Sequence, residues 1–144
     1  MFMSTMTKEA CNAMIDFVFG NGQSLKSPTS LHLALFNNDP SEDLPIEVPN
    51  TSAYGYSRQV IKFAQAKDGR SYNTETVTFP AAKKSWGVIK AIGVYGNIQT
   101  SEGDGNTGEV ETLLFYATLP NQKEVPANAV LAFSPGNIRY TLVI

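Results

Sequence analysis

Three stretches of this chain hold residue types that could do chemistry. His32 is the single imidazole, so any Ser-His-Asp or Cys-His arrangement would have to use it, with Cys11 or a serine as nucleophile. It sits inside LHLALF, an alternating apolar run, and no nucleophile elbow occurs anywhere, so a structural histidine is the better account. Gly103-Asp104-Gly105-Asn106-Thr107-Gly108 matches the letters of a dinucleotide fingerprint. That motif works only where it opens a helix, and here β-prone Leu113-Leu114-Phe115-Tyr116 follows. The loop also echoes a calcium site through Asp104 and Asn106, but Phe115 stands where the bidentate glutamate would be needed. The acidic group Asp39, Glu42, Asp43 and Glu47 could hold a cation or act as paired carboxylates; a solvated loop is the commoner outcome for such a group. The expectation is therefore no catalytic residues, no cofactor, and no metal.

Glu47 and Arg58 are a different case, because they bracket Tyr54-Gly55-Tyr56. A carboxylate at the end of the acidic excursion and a guanidinium at the head of the next strand could form a bidentate pair that pins the loop. The alternative is two independent surface charges worth almost nothing.

Composition sets the bounds. The chain has 144 residues, 42% of them apolar, and a formal charge of −2, which suits one domain with its own core. The only adjacent basic pair is Lys83-Lys84, so there is no stripe for a phosphate backbone, and nucleic acid is not an expected partner. The single cysteine, Cys11, excludes an internal disulfide and fits assembly in a reducing cytoplasm. No apolar run is long enough for a membrane span, and no basic n-region precedes an apolar one, so neither a membrane partner nor a leader is expected.

Two kinds of element must position these residues. Met6, Ala10, Ala13, Met14 and Phe17 recur at helical spacing; Ser4, Thr5 or Thr7 can cap the start and Gly20-Asn21-Gly22 can end it. Residues 1–22 are read as an N-terminal helical arm, which either closes the domain's own core or docks on a neighbour. From residue 23 to 144 the period is two. Leu31–Phe36, Ser57–Phe63, Asn73–Phe79, Trp86–Tyr95, Thr112–Leu119, Ala129–Ser134 and Asn137–Ile144 are predicted strands, with Leu31–Phe36 covered on both faces. The fold class is mainly β: an antiparallel, jelly-roll-like β-sandwich with one N-terminal helix. Asn37–Ala53, marked by Pro40, Pro45 and Pro49, is an extended surface excursion. Lys67–Arg70 and Ser134–Asn137 are tight turns, and Thr100–Gly108 is a loop tip. Trp86 is either a core plug or a sugar-stacking platform.

The succession LHLALF, Glu47, Tyr54-Gly55-Tyr56-Ser57-Arg58, Asn73 with Val77-Thr78-Phe79-Pro80, Trp86-Gly87-Val88-Ile89, Ile92-Gly93-Val94-Tyr95 and Leu113–Leu119 resembles a family of small tailed-phage virion proteins. The family is often labelled tail-fibre or minor structural protein. Pro49-Asn50-Thr51-Ser52 stands where the family usually has glycines, and Thr100–Gly108 is longer. The resemblance implies a non-enzymatic virion protein, similar to capsid-decorating cement proteins, with the major capsid protein and its own copies as partners, commonly as a homotrimer. A tail-tip module binding a receptor or glycan is the alternative. The surfaces expected to make contacts are the N-terminal stripe Met6, Ala10, Met14 and Phe17, and the excursion residues Asp39, Pro40, Leu44, Pro45 and Ile46.

Overall fold

A computed structural model of the chain describes residues 4–21, 28, 30–97 and 111–142. Its elements in order are β1 (Ser4–Met6), α1 (Lys8–Phe19), β2 (Leu31–Phe36), β3 (Gln59–Ile61), β4 (Arg70–Tyr72), β5 (Val77–Thr78), β6 (Gly87–Gly96), β7 (Thr112–Val125), β8 (Ala132–Phe133) and β9 (Arg139–Thr141). One sheet runs β1-β7-β6-β2-β3, antiparallel at every step. Facing it are two short ladders, β4-β9 and β5-β8. The fold is an antiparallel β-sandwich with one N-terminal helix. Its second layer is a pair of two-stranded ladders, not a matching sheet.

The core follows from the alternation. Leu33, Leu35, Ile61, Ile89, Ile92, Val94, Phe115 and Ala117 turn one face of the large sheet inward, against Val77, Phe79, Phe133 and Ile138 of the second layer. Each of the larger buried side chains, Ala117 aside, contributes roughly 1.5–3 kcal/mol. The other face of β2 is covered too: Ala34, Phe36 and Ala91 are fully buried, with Tyr95, Leu113 and Tyr116 packed on them. The ring of Phe36 lies directly on Gly93, where a Cβ would stand 2.5 Å from Cε2, so only glycine lets the ring reach the sheet.

Edges are closed where the layers meet. At one side the Ser4 hydroxyl donates to the Arg139 carbonyl, joining β1 to β9. At the other, Phe63 bridges Asn73 and Thr74 N–H donates to Lys62 O at 2.9 Å, joining β3 to the second layer. This removes the bare strand edges that invite aggregation.

Several boundaries differ from expectation for local reasons. The N-terminal segment begins as a strand, since Ser4–Met6 pairs with Phe115–Ala117, and Thr7 caps the helix by accepting from Ala10 N–H at 3.3 Å. Asn73–Phe79 is strand only at Val77–Thr78, because Asn73 turns inward. Ala129–Ser134 and Ser57–Phe63 shorten to two and three residues, and Asn137–Ile144 to Arg139–Thr141. β7 runs past Leu119 because Leu119, Pro120, Asn121 and Gln122 bulge opposite Lys90 before pairing resumes at Lys123. The Lys67–Arg70 turn forms as expected: the two end residues exchange backbone bonds of 2.9 and 3.0 Å, and Asp68 and Gly69 take positive φ. Thr100–Gly108, with its fingerprint letters, lies outside the described residues. Gly96 pairs with Thr112, so the flanks of that loop are neighbouring antiparallel strands with no helix following it.

Asn73 ties the second layer together. Its side chain is fully buried, donating to Glu75 O at 2.9 Å and Ser134 O at 3.0 Å while accepting from Ile138 N–H at 2.9 Å. Its backbone carbonyl receives Gly136 N–H. Asn73→Ala leaves two carbonyls and an amide unpartnered and should destabilise by about 3 kcal/mol. Urea unfolding monitored by Trp86 fluorescence measures this, and Asn73→Asp, which keeps the bond from Ile138 but sets an oxygen against the Glu75 and Ser134 carbonyls, should cost at least as much.

Candidate functional site

The excursion after β2 is braced at each stage. Asn37 Nδ2 donates to Trp86 O at 2.8 Å and Val88 O at 3.0 Å, anchoring the exit of β2 to β6. Asn38 closes the neck, with Nδ2 donating to Leu44 O at 2.7 Å and Oδ1 accepting from Ile46 N–H at 2.8 Å. Asp39 folds the turn by accepting from the backbone N–H and hydroxyl of Ser41; the hydroxyl bond is the largest cause that holds its carboxyl below the usual range. Ile46 to Val48 then runs beside the end of β2, with Asn37 N–H to Ile46 O at 2.8 Å and Val48 N–H to Leu35 O at 3.2 Å. The three prolines cannot donate to a ladder, which leaves this short pairing as the excursion's whole share of sheet.

Glu47, at the centre of that pairing, starts a charged knot. Arg58 grips it through Nε to Oε2 at 3.0 Å and Nη2 to Oε1 at 2.8 Å, a bidentate fork. Nη1 reaches Glu111 Oε2 at 2.9 Å, and the guanidinium carbon sits 3.6 Å over the Tyr95 ring centre. His32 faces Tyr95 across the β2-β6 ladder, and its buried Nδ1 stands 2.5 Å from Glu111 Oε1, a close contact without hydrogen-bond alignment. The hydrogen bonds to Glu47 push the Arg58 pKa well above its already high ordinary value.

Tyr56 connects this knot to the core. Its hydroxyl donates to Glu47 Oε2 at 2.6 Å and accepts from Leu35 N–H at 3.1 Å. Its ring stacks on Phe79 at 5.9 Å and meets Trp86 edge-on at 5.5 Å. Trp86 is 3% exposed and donates its indole N–H to Tyr54 O at 2.8 Å, so it is a core plug and presents no sugar platform.

Glu47 and Arg58 are thus brought together, as the sequence suggested. Glu111 and His32 complete the knot, and nothing local in the sequence marks them: Glu111 lies 53 residues from Arg58. His32 is a partner of a structural carboxylate, and no serine or cysteine contact to it is seen among the described residues. Of the acidic group, Asp39, Glu42 and Asp43 border one surface pocket while Arg58 holds Glu47; among the described residues no three His, Cys, Asp or Glu side chains form a metal-holding cluster. Of the surface residues, Leu44 is 81% exposed and Ile46 exposed; Asp39, Pro40 and Pro45 are half-exposed. Of the expected N-terminal stripe, Met6 lies on β1 and not on the helix and is half-buried; on the helix Ala10 is buried within the chain, Met14 is half-buried and Phe17 is exposed.

Tyr56→Phe leaves Leu35 N–H without its partner and should cost about 2 kcal/mol in urea unfolding at pH 7. Burial first, and then the hydrogen bond to Glu47, raise the phenol pKa above its ordinary value. The neutral phenol therefore stabilises the fold fully below about pH 10, and this contribution is lost as pH rises beyond it. The variant should show a shallower fall in stability between neutral and strongly alkaline pH.

No curated protein matches the chain. A family described as Podophage GP4 fiber I protein gp80 matches it over residues 5–141, from the first strand through the last. The chain belongs to this family of phage fibre proteins, and so to the structural proteins of the phage virion.

Proposed function

We propose that this protein is a non-enzymatic fibre subunit of a phage virion, acting through shape and contact. The observation that carries the reading is the family match over nearly the whole chain. The site supports it: Arg58 uses Nε, Nη1 and Nη2 to hold Glu47 and Glu111, and Tyr56 uses its hydroxyl to hold Glu47 and the β2 backbone. These groups fix a loop. What the loop presents is Leu44-Pro45-Ile46, apolar and exposed, on a neck closed by Asn38. A pre-ordered apolar tip binds a protein surface without a large ordering cost, and the excursion is the proposed contact with a neighbouring virion protein.

The family name favours a fibre over a capsid-decorating role. The head-surface reading, with the major capsid protein as the partner, keeps one supporting feature: a sandwich with a braced, exposed loop is also suited to sitting on a flat shell. Immunogold electron microscopy of virions should label the fibre or tail region; label spread over the head would move the protein to the capsid. Leu44→Asp with Ile46→Asp should leave the unfolding midpoint unchanged and reduce incorporation into virions at least tenfold, measured by immunoblot of purified particles.

A further inference from the structure

β1 pairs with β7 only from Phe115 to Ala117, and no other described strand takes that side of β7. Beyond Ala117 the β7 bulge, β8 and the start of β9 enclose a cleft of about 500 Å³, a volume typical of ligand-binding clefts. Lys123 and Arg139 bring two cations to its walls, Asn121 and Asn137 two amides, and the buried Leu119 and Phe133 an apolar floor. Among the described residues no carboxylate lines it, although the whole chain carries a formal charge of −2. The excursion's Asp39, Glu42 and Asp43 border a separate pocket with Lys90.

Lys123 makes no ion pair among the described residues. Arg139 carries five N–H donors in a fixed fork, enough for more than one acceptor, as Arg58 demonstrates in the knot. Arg139 also stands opposite Tyr72 in the β4-β9 ladder. The neighbouring pair, Ser71 and Tyr140, turns inward, with the Tyr140 ring 5.1 Å from that of Phe115. By the alternation of a strand, Tyr72 and Arg139 share the outer face, where Tyr72 is 50% exposed.

We propose that this cleft binds a carboxylate-bearing saccharide. Arg139 and Lys123 take the carboxylate, because a guanidinium fork matches its two oxygens and hydrogen bonds between charged groups are the strong ones. Asn121 and Asn137 each present a donor and an acceptor, the pairing that sugar hydroxyls need. The exposed Tyr72 ring gives the rim an apolar surface for the C–H face of a sugar. An acidic peptide added as a further strand is the competing occupant, and β7 is built against it: Pro120 has no N–H to donate and the bulge breaks the ladder. Binding here is independent of the contact assigned to the excursion.

Isothermal titration calorimetry of the intact chain with oligogalacturonate and with sialyllactose tests the proposal. At least one should bind saturably, and its methyl ester, which lacks the charge, at least about tenfold more weakly. Lys123→Gln and Asn121→Ala alter exposed residues, so the thermal midpoint should hold while each weakens binding at least about fivefold. Lys90→Gln removes a cation outside the cleft and should bind as the unmodified chain does. No saturable binding of either saccharide overturns the proposal, as does an ester that binds equally well. So does Lys90→Gln losing as much affinity as Lys123→Gln, which would mark general charge attraction. Poly-glutamate binding as tightly as the saccharides overturns it in favour of an acidic peptide.

Discussion

The edge of β2 next to β3 is closed by three pieces that are distant in sequence. β3 pairs with Leu31 to Leu33, the strand end around Glu47 pairs beyond Leu35, and between them a single phenolic oxygen takes the Leu35 N–H. Without that oxygen a buried backbone donor in the central sheet would go unpaired, at a cost of about 1–3 kcal/mol. The oxygen can be there only if Tyr56 is aimed from the core, where Phe79 and Trp86 hold its ring, and if Glu47 takes its proton. Glu47 in turn is fixed by Arg58, which also gathers Glu111 and covers Tyr95. The excursion, the start of β3 and the start of β7 are placed by this one chain of contacts.

Magnitudes separate the roles of core and knot. The knot is half-buried, and a partly exposed ion pair adds on the order of 1 kcal/mol or less, whereas a single buried Phe36 or Ile92 adds more. The core makes the domain stable, and the knot decides which way the loop leaves it. A loop held by directed polar contacts keeps its apolar tip out of its own core, which burial alone would not ensure. Asn73 has the same part in the second layer, where a fully bonded amide stands in for a missing stretch of sheet.

The alternating pattern made much of this visible in the sequence. β2 was legible to the residue because it is buried on both faces, and β6 nearly so; the helix was legible from its three- and four-residue repeat. The Lys67–Arg70 turn was legible because Asp-Gly names its own geometry. Ser4–Met6 was not, since three residues carry no period and pair only through a partner more than a hundred residues away. The second-layer strands were overestimated because β-prone residues there pack as irregular chain pinned by Asn73. Glu47 and Arg58 were visible as a pair by closeness and charge. Glu111 and His32 were not, since their meeting depends on the β2-β6 register and on where β7 begins.

The pairing of Ser4–Met6 with Phe115–Ala117 has a consequence for the order of events during synthesis. The strand Ser4–Met6 has no place in the sheet until β7 has been made, and the Ser4 contact to Arg139 waits for β9. Contacts of such long sequence separation form slowly, so the N-terminal strand and its helix dock after the rest of the sandwich has closed. The same architecture that seals the finished sheet thus leaves its seal open until both of the strands it joins have been made.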